Sequence, residues 1–325
     1  MKKLITVEIA FVLAIVLIPF LMSKSCGTVS EDKTYVDIKI KVWMHEEQKV
    51  SEMDLEEYIK GVVAAEMPAS FEAEALKAQA VAARTYAVAR LLGLYTPKDG
   101  YHTDTPICTD PAHCQGYKTK EQMTEIHWGK RAANRYWKKI AEAVEETKGL
   151  VITCNGEIAN PVYHSNAGGK TESALDVWGT PVSYLISVPS KGDLYSPTLD
   201  NKHEFTPDEI REKIKSDPDY ADFALSDNPK DEIEIIDYTD GGGVKNLRLG
   251  NKEFKGTEIR KLLSLKSTKF TVSINDENKI CFLTKGSGHG VGMSQWGANY
   301  LAMNGGTYIE ILEHYYNGII VKKYR

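Results

Sequence analysis

The stretch "DLEEYIKGVVAAEMP", residues 54–68, carries a glutamate at a position where helical spacing calls for an apolar residue. Leu55, Tyr58, Ile59, Val62 and Val63 form one stripe at i, i+3, i+4, i+7 and i+8, and Glu66 is next on it. A carboxyl set among Leu, Ile and Val resists ionisation, because desolvation penalises the charged form. A carboxyl still protonated near neutral pH is what a general acid requires. The competing reading is a core glutamate paired with Arg84 or a lysine.

A second group of reactive residues sits in "YHTDTPICTDPAHCQGY", residues 101–117. His102, Cys108, His113 and Cys114 place two thiols and two imidazoles within thirteen residues, a donor set suited to tetrahedral zinc. Adjacent His113 and Cys114 would have to point the same way, which makes His113 the hardest ligand to place. The rival is a Cys108–Cys114 disulfide, which an extracellular setting permits. We expect a structural zinc that pins this loop beside a cleft.

Other candidates have weaker local signals. "PVYHSNAGGKTES" (161–173) sets Tyr163, His164 and Ser165 where a strand runs into a loop of small polar residues. In "GSGHGVG" (286–292), His289 lies between two glycines, with little side-chain bulk beside it. The spacing is G-x-G-x-G-x-G without a βαβ setting, so dinucleotide binding is excluded. Ser294 in "GMSQWG" lacks the spacing of a nucleophile elbow, and no H-E-x-x-H occurs.

The elements that must position these residues can be read in outline. A strand is expected over 34–44, then the Glu66 helix, stopped near Met67 by Pro68. Ser70 would cap a long alanine-rich helix reaching about Leu92. Residues 94–126 read as an insertion, followed by a helix over 127–148 that ends at Gly149. "LVITCNGEIANPVYHS" reads as a hairpin turning on Asn155-Gly156. Helices at 206–215 and 256–263, and strands near 232–238, 244–249, 268–274 and 279–284, follow. The glycine-rich loop then enters a helix, and "YIEILEHYY" forms the last one. Without regular βαβ alternation the class is α+β.

Composition sets the outer limits. The chain has 325 residues, 42% hydrophobic and 26% charged, with a net charge of −5 and no basic stripe that would suit nucleic acid. Lys2 and Lys3 precede an apolar run from Leu4 to Met22, interrupted only by Glu8, and Lys24 follows it. That run is just long enough to span a bilayer. A cleaved signal peptide competes, but no small-x-small site follows, and Ser23 speaks against lipidation of Cys26. The leading lysines place the N-terminus in the cytoplasm and the remainder outside. The expected organisation is a cytoplasmic stub and transmembrane anchor over 1–24, a linker over 25–34, and one elongated extracytoplasmic unit of mixed helices and antiparallel strands with a substrate cleft over 35–325.

Three blocks together carry a family resemblance: "YIKGVVAAEMPASFEAEALKAQAVAARTYA", "YHSNAGGKTESALDVWG" and "GSGHGVGMSQWGANYLA…YIEILEHYYNG". From about Tyr35 onward the chain resembles the stage II sporulation protein D family, which includes the cell-wall amidase enhancers. The resemblance implies a lytic transglycosylase that cleaves peptidoglycan strands, stripped of peptides, during engulfment of the forespore. It implies that Glu66, in "AAEMP", is the acid/base, and that the partners are the amidase stage II sporulation protein P and the membrane protein stage II sporulation protein M. The expected site is on the cell membrane, facing outward on the mother-cell side of the septum. Arg84, Tyr163, His164, Ser165, His289 and Gln295 are the expected substrate-binding shell. A non-catalytic glycan-binding activator of an amidase is the alternative. The family pattern does not demand the His/Cys loop, so zinc is a separate expectation.

Overall fold

The glutamate-bearing helix, α1, spans Leu55–Glu66. Asp54 caps it, its carboxylate accepting from the N–H groups of Glu56 (2.9 Å) and Glu57 (3.3 Å). Met67 is extended (φ −124°, ψ 135°), as the following proline requires, and ends the helix. Leu55, Tyr58, Ile59, Val62 and Val63 are all fully buried. The stripe read from the sequence is a core face.

The computed structural model of the protein describes residues 37–95, 100–102 and 105–324. The expected anchor over 1–24 and linker over 25–34 lie outside the described residues. Among the described residues, no helix is long and apolar enough to cross a membrane.

Helix α2 spans Ala73–Leu91 and runs through the middle of the first core. It begins later than expected. Ser70 does not cap it; Glu72 holds the cap position without a side-chain bond, and its N–H donates to Asn299 Oδ1 at 2.8 Å. Around α2 pack α1, helix α3 (Gly129–Glu146), strand Leu150–Cys154, helix α4 (Gln295–Met303) and helix α5 (Tyr308–Tyr315). Its alanines therefore serve close backbone approach on every side, since interaxial distance is set by the side chains at the contact.

Strands Lys39–Met44 and Lys49–Asp54 form an antiparallel hairpin that leads into α1. Ile107–Cys108 adds to its free edge in parallel, pairing Trp43 with Cys108, and so docks the His/Cys loop on this sheet. The helix expected over 127–148 is preceded by a helical turn, Lys120–Met123, and a π-helical turn, Thr124–Trp128, before α3 proper. Asn155 (φ 51°) and Gly156 (φ 87°) form the expected hairpin turn, but the hairpin is short, pairing Thr153 with Ile158. Tyr163–His164 leaves it and pairs in parallel with Met293–Ser294, which brings the two glycine-flanked segments together.

A second core gathers Ile210, Phe223, Leu247, Phe254, Phe270 and Phe282. Two three-stranded antiparallel sheets form it: Ile233–Tyr238, Val244–Leu249 and Lys252–Lys255 in one; Phe270–Ile274, Ile280–Lys285 and Asp200–Phe205 in the other. Helices Pro207–Lys215 and Gly256–Leu262 pack on them, within two residues of the expected limits. The described architecture is α+β.

Candidate active site

Glu66 is the last residue of α1, and its side chain is partly accessible. It lies where two cavities meet, one of about 230 Å³ and one of about 460 Å³, and it lines both. Ala65, Met123 and His127 are shared by the two cavities, and Ser165, Gln295 and Trp296 line the larger. His127 projects from the π-helical turn Thr124–Trp128.

Three features define the state of this carboxyl. The Gly116 N–H donates to Glu66 Oε1 at 2.6 Å. The Gln295 side chain, whose amide also reaches Gln79 Oε1 at 3.5 Å, lies close enough to favour the charged form of the carboxyl. Among the described residues, no Lys or Arg pairs with Glu66, and the last turn of α1 contains no basic residue. Burial is the largest influence and raises the pKa; the Gly116 bond and the neighbouring Gln295 amide pull it down without cancelling the rise. The C-terminal end of a helix, with its unpaired carbonyls, further disfavours a negative charge there. Glu66 is thus a carboxyl of raised pKa, flanked by two neutral groups and open to a cleft.

Gly116 reaches the carboxyl because it has no side chain: a Cβ there would lie 3.0 Å from Glu66 Oε1. The segment carrying it crosses α1 closely. Tyr117 packs against Gly61, where an added Cβ would come within 2.2 Å of the ring, and stacks on Tyr58 with centroids 5.8 Å apart. The Lys118 N–H donates to the Gly61 carbonyl at 3.1 Å. Gln115 accepts from the Tyr163 hydroxyl at 2.8 Å. Tyr163 sits close enough to Glu66 that the acid adds to burial in raising its pKa well above the ordinary value.

The four candidate metal ligands converge just before this segment. One donor atom from each of His102, Cys108, His113 and Cys114 lies within 4.8 Å of the others. The separations are 3.5 Å for Cys108 Sγ–His113 Nδ1, 3.4 Å for Cys114 Sγ–His113 Nδ1 and 3.3 Å for Cys114 Sγ–His102 Nε2. Tetrahedral zinc, with bonds of about 2.0–2.3 Å, sets its ligands roughly 3.3–3.8 Å apart. His102 Nδ1 donates to the Thr105 carbonyl at 2.8 Å, which leaves Nε2 as the ligand atom in the manner of metal-bound imidazoles. The donors fit. Cys108 and Cys114 stand as separate thiols, and His113, the ligand hardest to place from sequence, points with Cys114.

The structure moves several expected cleft residues elsewhere. Arg84 does not approach Glu66. Its guanidinium, 1% exposed, forks onto Glu56, with Nη2 2.6 Å from Oε2 and Nε 2.9 Å from Oε1. The Val144 and Leu150 carbonyls take two more of its donors. His164 and His289 also turn away from Glu66. His164 Nδ1 donates to the Val291 carbonyl at 3.0 Å; His289 Nε2 donates to the Tyr163 carbonyl at 3.0 Å and its Nδ1 accepts from Val291 N–H at 3.1 Å. Burial keeps both imidazoles neutral, with His289 pushed down to about 4. Successive strand residues face opposite sides, so Tyr163 and His164 cannot both look into one cleft. Ser165 and Gln295 do line it. Gly116, Gln115 and His127 had no signal in the sequence, since a backbone donor and a π-turn side chain follow no periodic pattern.

Residues 44–154, which include Glu66 and the His/Cys loop, match a family model described as "Stage II sporulation protein". Stage II sporulation protein D of Bacillus subtilis is 35% identical over 329 residues, which covers 95% of this chain and 91% of that protein. The chain belongs to the stage II sporulation protein D family. The family member from Bacillus amyloliquefaciens is likewise 35% identical, over 88% of this chain and 79% of its own length. A protein named amidase enhancer in Bacillus subtilis is 30% identical over 82% of this chain, which spans 40% of that longer protein. The chain is thus similar both to a sporulation protein and to one named for its effect on an amidase.

Proposed function

We propose that this family member is a peptidoglycan lytic transglycosylase with Glu66 as its single acid/base. One observation carries the reading: a carboxyl of raised pKa, paired with no Lys or Arg among the described residues, stands at the junction of two cavities. Glu66 protonates the oxygen that links C1 of N-acetylmuramic acid to C4 of N-acetylglucosamine. The C1–O bond breaks, and N-acetylglucosamine leaves with its hydroxyl restored. The C6 hydroxyl of the muramic acid then attacks its own C1 and returns a proton to Glu66. A 1,6-anhydro end forms, no water is consumed and the acid is regenerated, so one carboxyl suffices.

Hydrolytic glycosidases use two carboxyls. The other acids at this cleft, Glu46 and Glu47, are exposed at its rim, and Glu46 is bound to Lys118 at 2.6 Å. The Gly116 N–H and the Gln295 amide orient Glu66 and bond both its acid and base forms.

Zinc belongs to this proposal as a structural ion on His102, Cys108, His113 and Cys114. It supplies no bond-breaking chemistry; it ties the loop that ends at Gly116. The proposal also includes membrane attachment through residues 4–22, an outward-facing domain, a preference for peptide-stripped strands, and work beside stage II sporulation proteins P and M.

The kinship with an amidase enhancer favours one other reading, a glycan-binding module that activates an amidase without cleaving. Mass spectrometry of peptide-free strands incubated with the protein alone decides between them. New anhydro ends, absent with Glu66→Gln, support the enzyme; binding without new ends overturns it.

A further inference from the structure

A cavity of about 560 Å³ opens where the helix Ala174–Trp178 faces strand Val244–Leu249 and the first turn of helix Gly256–Leu262. It shares no lining residue with the two cavities at Glu66. Its floor is built rather than left over. Glu172, fully enclosed, accepts from the Thr239 hydroxyl (2.6 Å) and the Gly243 N–H (2.9 Å). A Cβ at Gly241 or Gly243 would strike that carboxylate, at 2.4 Å and 2.8 Å. The other two acids here are also engaged locally: Asp176 accepts from the Ser173 hydroxyl (2.6 Å) and Glu258 from the Lys255 N–H (2.7 Å).

The walls are of two kinds. Trp178 and Leu175, on one short helix, are 48% and 54% exposed. The Trp178 ring is backed by His289, with centroids 5.4 Å apart, so it is steadied from behind. Opposite stand donors: among the described residues Lys245 and Lys255 form no ion pair, and Thr257 and Asn246 lie beside them. A register shift at Lys245 breaks the strand alternation, so that Lys245 and its neighbour Asn246 line the same groove. Asn246 uses its amide N–H on Asp237 at 2.8 Å, which leaves its carbonyl for a ligand. An exposed aromatic face opposite a fan of hydroxyl-matching groups suits a pyranose, which has an apolar face and a polar edge. The volume is that of a small-ligand site.

We propose that this groove is a second, non-catalytic saccharide site that holds a further stretch of the same amino-sugar strand. The inference rests on the glycan reading above, and the two fail separately. The test is titration calorimetry of the full chain carrying Glu66→Gln, so that the ligand survives, against a peptide-free N-acetylglucosamine–N-acetylmuramic acid tetrasaccharide. The expected stoichiometry is two per chain, falling to one with Trp178→Ala and restored with Trp178→Phe. On long strands, Trp178→Ala and Lys245→Glu each weaken binding by about tenfold, as two linked sites become one. Thermal melts check that these surface variants remain folded. If Trp178→Ala leaves stoichiometry and strand affinity as they are in its parent, the groove is no saccharide site. If Trp178→Ala removes a site while the unsubstituted protein forms no anhydro ends, the groove stands and the catalytic reading falls.

Discussion

Two glutamates ten residues apart on α1 meet opposite fates. Glu56, at the capped end, is enclosed with Arg84 in a forked ion pair, and the Gly149 N–H adds a third donor at 3.3 Å. Glu66, at the far end, has among the described residues only the Gly116 N–H and the nearby Gln295 amide, and an opening to a cleft. One helix therefore carries a charge that is balanced and sealed, and an acid that is unbalanced and reachable. A closed pair can only hold structure. A lone carboxyl of raised pKa can exchange a proton.

The contrast can be broken at either end. Replacing Glu66 by Gln should cut formation of anhydro ends by roughly 10²–10⁴-fold, the usual scale of acid/base catalysis, read by product mass spectrometry. The same variant should melt no lower than the parent. Because the folded pKa is raised, protonated Glu66 supports the fold fully below the ordinary glutamate range, and that support fades as pH rises through the folded value. The melting advantage of Gln should be absent in acid and grow toward neutral pH; a constant offset would contradict the burial argument.

Arg84→Met should behave in the reverse way. It strands a buried carboxylate and should cost about 3–5 kcal/mol in chemical denaturation. Adding Glu56→Leu to it should recover most of that loss. Stripping metal with a chelator should free the thiols of Cys108 and Cys114 and lower cleavage by about 10–100-fold, the scale seen when supporting interactions of a metal site are lost. Melting of the distant second core would be unaffected if the ion serves this loop alone. The smallest effect is expected from Gly116→Ala, which crowds Glu66 Oε1 and weakens one hydrogen bond worth about 1 kcal/mol, a several-fold loss in rate.

The helix holding Glu66 was legible because an acid interrupted a clean apolar stripe, and Pro68 fixed where it ends. Its partner was not. Which of two glutamates meets Arg84 depends on how α1 crosses α2, and spacing along one chain does not report that crossing. Tyr163 and His164 were read as neighbours in one cleft, yet strand alternation sends them to opposite sides. The hairpin signal at Asn155-Gly156 located a turn correctly and said nothing about Tyr163–His164 pairing with residues 130 positions later. The His/Cys donors converge because Ile107–Cys108 docks on the first strand, a long-range contact that fits the donor set read from the sequence.

The notch at Gly61 has a wider consequence. With the Tyr117 ring seated in it, α1 is keyed like a shaft against sliding, since any axial slip drives ring into backbone. A slip of one turn would carry Glu66 about 5.4 Å along the axis, past the reach of any proton transfer. The absence of one methyl group, five residues before the acid, acts as the gauge that sets where the Glu66 carboxyl stands.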